Sequence, residues 1–209
     1  YIIIKINLKG DDLMKKVIKI VVVLLIIFLL IFLLDIVRKV AILQSCKDGT
    51  DSNNYYAKSI VYYGSGISSL EKYYKDGRQM IKVTNTSDSE MVFYNDFTND
   101  DSKLLVNGKS ITDDSVEEPN LTPKVSIIVG LDFWDNLANS FVVDISTEKC
   151  NGKDCYLIEN KLNGQKIWVE KERKLPVREI AGIANHDGTV TNLVTDYIFS
   201  FDTVTDEDL

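Results

Sequence analysis

Hydrophobic positions along the chain fall into two regimes. Residues 17–34, VIKIVVVLLIIFLLIFLL, are apolar at every position except Lys19. No polar stripe recurs at helical spacing, so a helix here is apolar all round. At about 1.5 Å per residue it spans roughly 27 Å, close to the hydrocarbon thickness of a bilayer. Lys19 lies near the inner end, where its stem lets the ammonium reach the headgroups. The absence of a polar face over this length argues against a buried core helix. A cleaved signal peptide is the next alternative. The run is longer than a usual signal core, and no small-x-small site follows it. LQSC, ending at Cys46, has a faint lipoprotein-site character, but Asp35, Arg38 and Lys39 intervene and Gln44 fits poorly. The expectation is an uncleaved transmembrane anchor over residues 17–35.

From Tyr55 onward the period shortens to two. Asp76-Gly77, Asn107-Gly108, Asn151-Gly152, Asn163-Gly164 and Asp187-Gly188 punctuate β-rich stretches such as RQMIKVTN, FVVDISTEK and CYLIENKL. Tight hairpins need positive φ at their centre, which Gly and Asn tolerate. In QKIWVEK, Ile167 and Val169 alternate with Trp168. The pattern predicts eight to ten antiparallel strands with short connections. One stretch differs: over residues 123–139, Ile127, Leu131, Trp134 and Ala138 form a helical stripe, with Thr122 as cap and Pro123 in the first turn. A helix on one face of a long sheet makes an α+β layout dominated by strands.

Charge supports this division. Residues 1–46 hold 7 of the 24 basic and 3 of the 31 acidic residues, leaving 17 against 28 beyond, a net of −11. So acidic a segment is a poor nucleic-acid binder, and no nucleic-acid partner is expected. Lys15, Lys16 and Lys19, with Lys5 and Lys9 further out, outnumber Arg38 and Lys39 at the other end, which predicts a cytoplasmic N-terminus. The expected organisation is a cytoplasmic tail over 1–16, the span over 17–35, a polar stalk and linker over 36–54, and an extracytoplasmic β domain over 55–209. The bilayer itself is then one partner, held through residues 17–35.

Candidate chemistry is sparse. Cys150 and Cys155 flank NGKD in a hairpin; if they face each other their Cβ atoms are close enough for a disulfide. So short a loop would gain about 2 kcal/mol in the chain-entropy picture. Reduced thiols and a metal are the alternatives, although a metal needs further ligands and the sequence has a single histidine, His186. Cys46 is left as a free, acylated or intermolecular thiol. His186 sits in the turn ANHDGT, where a solvated imidazole is expected. No Gly-rich phosphate loop or zinc-hydrolase pair is present. Gly64 and Gly66 read as a bulge. The acidic runs 99–102, 113–118 and 202–209 lack the ordered spacing of a calcium loop and read as solvated. No cofactor, no metal and no enzymatic activity are expected. The pairs Tyr55-Tyr56, Tyr62-Tyr63 and Tyr73-Tyr74 put an aromatic on both faces of a sheet. Such a sheet must cover both faces or offer one as a groove. Tyr62, Tyr63, Tyr73, Tyr74, Phe133, Trp134 and Trp168 are the groove candidates; the alternative is an amphipathic surface with hydroxyls in water.

CYLIEN, a turn, and then IWVEKERKLPVRE resemble the late strands of the lipoprotein-carrier superfamily of LolA-like, LppX-like and sigma-factor-regulatory (RseB-like) periplasmic proteins. Trp168, Leu175, Pro176 and Arg178 stand at the positions of its aromatic, Leu-Pro and basic residues. YYKDGRQMIKVT (73–84) and YIFSFDTVTDEDL (197–209) are similar to an early hairpin and the last strand. The resemblance implies a curved antiparallel half-barrel with a covering helix and an apolar groove for acyl chains or a partner's peptide. True carriers of that superfamily are soluble and periplasmic, whereas this chain carries its own anchor, so holding or sensing a lipid or lipoprotein-type ligand is expected rather than ferrying. The alternative is an envelope regulatory or scaffold module that binds a protein partner, its groove filled by its own side chains.

Overall fold

A computed structural model describes residues 2–46, 54–63, 66–76, 79–96, 98–99, 101–111, 131–184, 189–205 and 207. Helix α1, Ile2–Ser45, contains the apolar run without interruption. In hydrocarbon every backbone amide must be satisfied within its own segment, and a continuous helix does this. By length and composition one helix segment, Met14–Ser45, is long and apolar enough to cross a membrane.

The helix does not end at the polar boundary. Ile36, Val40, Leu43 and Cys46 are buried, and Leu43 and Cys46 join Val143, Ile145, Ile158, Ile167 and Val169 in one core cluster. Residues 36–46 therefore pack against the sheet. Lys39 bridges Asp35 at 3.0 Å and Asp144 at 3.7 Å, while Arg38 donates to the Ile145 carbonyl at 3.4 Å. The remainder of the segment read as a linker, 47–53, lies outside the described residues.

Eleven strands form one antiparallel sheet among the described residues: β1 (Tyr55–Tyr63), β2 (Gly66–Lys75), β3 (Gln79–Thr86), β4 (Glu90–Asp96), β5 (Asp101–Val106), β6 (Lys109–Ile111), β7 (Val143–Cys150), β8 (Lys153–Asn160), β9 (Lys166–Glu170), β10 (Pro176–Ala184) and β11 (Val190–Phe201). The order is β6-β5-β4-β3-β2-β1-β11-β10-β9-β8-β7. Two meanders, β1–β6 and β7–β11, thus meet along β1 and β11, where Tyr55 pairs with Phe201 and Tyr63 with Leu193. The edges β6 and β7 do not pair, so the sheet is open and the fold is α+β, mainly antiparallel β, with an N-terminal apolar helix. A β-bulge at Val61/Tyr62 lies just before the glycines read as a bend.

Asn107-Gly108 (φ 49° and 75°) and Asn151-Gly152 (φ 51° and 79°) form two-residue turns with both centres left-handed, as their sequence demands. Gly164 (φ 71°) serves a longer loop. Gly77 and the Asp187-Gly188 pair lie outside the described residues. The tight turn at 151–152 sets the geometry of the cysteines. Cys150 faces Lys153, and Cys155 faces Glu148, so the two thiols are diagonal neighbours and both are free and buried.

The helix expected over 123–139 is also corrected in part. Residues 112–130 lie outside the described set, Leu131 and Asp132 are not helical, and α2 runs Phe133–Ser140. Asp132 caps it, accepting the Asp135 amide at 2.9 Å; the expected cap Thr122 lies outside the described residues. α2 packs on α1 and the start of β7. The helix lying on the sheet is the C-terminal end of α1.

Candidate functional site

Register assigns each strand residue to one of two faces. On the first, Tyr55, Ala57, Tyr73, Leu175, Tyr197 and Phe199 form a buried cluster beside the one that holds the end of α1. Two carboxylates sit among these rings. The Tyr73 hydroxyl donates to Glu71 Oε2 at 2.6 Å, and the Ser59 hydroxyl donates to the same oxygen at 3.4 Å; Lys82 Nζ is 3.6 Å from Glu71 Oε1. The Tyr197 hydroxyl donates to Glu179 Oε2 at 2.8 Å, and Gln165 Nε2 donates to Glu179 Oε1. Burial first, and then the adjacent carboxylate, push both phenols well above the ordinary tyrosine range. Buried polar groups that satisfy one another in this way fill and specify a face.

The second face is amphipathic. Tyr56 and Tyr74 are half-buried, with ring centroids 5.0 Å apart. Ile60, Tyr62 and the exposed Ile198 continue the stripe along β1 and β11. Next to it, Arg178 holds Asp196 through two contacts, at 2.6 and 2.9 Å. Trp168 lies opposite Arg178 on β9, buried with Cys150, Cys155 and Val177, and its indole N–H donates to Glu148. Burial raises both thiols of this cluster, which disfavours the thiolate form that nucleophilic chemistry needs. Rings, an isoleucine and a fixed bidentate ion pair side by side can hold a partner surface through apolar contact and directional hydrogen bonds.

The groove candidates are therefore divided. Tyr62, Tyr74 and Trp168 share the amphipathic face; Tyr73 is on the packed face, 1% exposed; Phe133 and Trp134 are exposed on α2. Tyr63 is placed in β1. Reading the chain alone misses Glu71, Glu179 and Gln165, polar residues in a buried layer, and the Arg178–Asp196 pair, which joins two strands. A period-two pattern could have assigned Glu71 and Tyr73 to one face; which face is packed is set by the register that brings Tyr55, Tyr73, Tyr197 and Phe199 together.

A pocket of about 240 Å³ lies over β3–β5 and is lined by Gln79, Ile81, Tyr94, Asp96 and Lys103 among others. It is below the usual range of ligand sites, ~300–1,000 Å³. Among the described residues no group of three or more His, Cys, Asp and Glu side chains could hold a metal. His186 lies outside them.

No family model matches the chain, and no curated protein matches it. Similarity to solved structures is in fold. The Pseudomonas aeruginosa MucA/MucB complex matches at 11% identity with a TM-score of 0.44, over 82% of this chain and 59% of that one. MucB in complex with MucA(peri) matches at 11% identity and 0.37, over 83% and 57%. The chain thus spans less than two-thirds of the length of those two matched chains. A LolA superfamily protein from Nitrosomonas europaea matches at 12% identity and 0.27, over 80% and 94%.

Proposed function

We propose that this chain is a membrane-tethered, non-catalytic binding module that engages a protein partner through the amphipathic face of its sheet. One observation carries this reading. The face on which α1 ends is occupied by the chain's own side chains, among them Tyr55, Tyr73, Tyr197 and Phe199, whereas the opposite face keeps Tyr56, Tyr62 and Tyr74 half-buried and Ile198 exposed. An acyl chain needs an unfilled apolar trough; a partner needs a surface with aromatic anchors and a few directional polar groups. In this reading α1 crosses the membrane and the sheet lies outside the cytoplasm. Lys15, Lys16 and Lys19 before the apolar run outnumber Arg38 and Lys39 after it, which favours a cytoplasmic N-terminus.

Photo-crosslinking in cells tests it. A photoreactive side chain at Tyr56, Tyr62 or Ile198 is expected to give one discrete heavier adduct, and one at Lys109 on the far edge is expected to give none. The second reading, a lipid or lipoprotein-type ligand, rests on the resemblance of the IWVEKERKLPVRE stretch to lipoprotein carriers. Stoichiometric lipid retained by the purified chain in native mass spectrometry, with no adduct from the three face positions, would support that reading and sink the first.

A further inference from the structure

α2 is amphipathic the wrong way round for a soluble domain. Its buried residues are Asn136 and Ser140, and Asn136 Oδ1 is buried without a hydrogen-bond partner. The apolar positions Phe133, Trp134, Leu137, Ala138 and Phe141 recur at helical spacing on the outer side. Trp134 is 72% exposed, Phe141 57% and Phe133 49%. Beside them the β8–β9 loop presents Leu162, 78% exposed, and the Lys161 amide donates to the Val142 carbonyl at 2.9 Å, so this loop abuts the end of α2. In water such a stripe would be a large apolar liability.

Its position relative to α1 identifies what covers it. The Phe141 ring is 6.4 Å from the ring of Phe32. Phe32 belongs to the apolar run, three residues before Asp35, its first charged residue after Lys19. At ~1.5 Å per residue Phe32 is about 4.5 Å inside that polar boundary. Phe141 therefore sits at the depth where the span passes from hydrocarbon to headgroups. Tryptophan and other aromatic rings with one apolar and one polar environment favour this layer. Charges around the stripe nearly balance, Asp35, Asp132, Asp135 and Asp144 against Arg38, Lys39 and Lys161, so the contact is apolar and not an attraction to anionic lipid.

We infer that the outer side of α2, with Phe141 and Leu162, is a second membrane contact: it docks into the headgroup–acyl boundary of the bilayer that α1 crosses. The sheet is then held directly on the membrane at two points, by a span and by an interfacial helix, and cannot swivel freely about its anchor. This inference rests on α1 being a span, so its test separates the two.

The full chain is reconstituted in phosphatidylcholine vesicles and floated on a density gradient. Tryptophan emission is then read with spin-labelled lipids carrying the quencher in the headgroup region or the upper acyl chain, and with aqueous iodide. The chain has two tryptophans, and Trp168 is buried, so the difference between wild type and Trp134→Ala reports Trp134. The expected result is flotation, loss of most Trp134 emission to the lipid quenchers, little loss to iodide, and no change on adding salt or anionic lipid. Phe133→Ser combined with Phe141→Ser, both at exposed positions, is expected to restore iodide quenching while flotation persists. Flotation with Trp134 open to iodide overturns the docking alone. Flotation with Trp134 shielded from both quenchers places a protein surface over α2 and also overturns it. Failure to float removes the anchor, and the docking with it.

Discussion

Two tyrosines and three cysteines carry the residue-level consequences. Tyr73 and Tyr197 are harder to ionise in the fold than in the unfolded chain, because burial and Glu71 or Glu179 oppose the phenolate. Their contribution to stability is complete below the ordinary tyrosine value near ~10 and declines as pH rises above it. Urea unfolding of the chain should therefore weaken steeply on the alkaline side. Tyr73→Phe or Tyr197→Phe should cost about 1–3 kcal/mol at neutral pH by removing a donor from a buried carboxylate, and should flatten the alkaline decline. An unchanged alkaline slope in both variants would contradict the assignment. Burial also pushes the Cys46 thiol up to about 11, and its Sγ donates to the Ile42 carbonyl at 3.2 Å. Cys46, Cys150 and Cys155 should resist alkylation in the folded chain, and all three should react after unfolding without reductant; a single reactive thiol would mean that Cys150 and Cys155 had bridged.

Among the elements, the C-terminal end of α1 matters most. Leu43 is fully buried between the helix and β7–β9. Leu43→Ala should cost roughly 2–5 kcal/mol, read as a lowered thermal midpoint. A chain beginning at residue 47 would uncover Val143, Ile145, Ile158 and Ile167 and should lose its cooperative thermal transition in mild detergent, whereas one beginning at residue 36 keeps Leu43 and Cys46 in place and should retain it. Equal behaviour of the two would show that the helix end is dispensable. At the β7–β8 turn, Gly152 holds φ at 79°. Gly152→Ala should lose about 1–2 kcal/mol, since L-residues are strained there. The hairpin pattern announced this turn correctly. It was the loop length that sequence reading overestimated: NGKD looked like a four-residue connection, but the glycine turn closes on two residues and the Lys153–Asp154 pair is already strand.

At the scale of the molecule, the two meanders meet along β1 and β11, and that long seam, of nine paired positions, unites strands distant in sequence. Mutating it should destabilise both halves together: Ala57→Lys, at a position 2% exposed opposite Phe199, should abolish folding of the whole sheet in a single transition rather than release one meander. Unfolding followed by circular dichroism and by tryptophan emission, with Trp168 in the second meander, should give coincident curves in the wild type.

Local sequence was enough for the long apolar helix, for a strand-rich remainder and for left-handed turns at Asn107-Gly108 and Asn151-Gly152, because an unbroken apolar run, period-two alternation and positive φ are each short-range signals. The same range limits explain what it could not reach. Tyr73 and Tyr74 are neighbours in the chain with the same chemistry, yet one is sealed beside Glu71 in the cluster of Tyr55, Tyr197 and Phe199 and the other is half-buried against Tyr56; the register of β1 against β2 and β11 separates them. Likewise Trp134 and Ala138 stand at helical spacing in the sequence, but which side of α2 is buried follows from its packing on α1 and β7, remote in the chain, since direction of burial is a property of the assembled fold and not of any one segment.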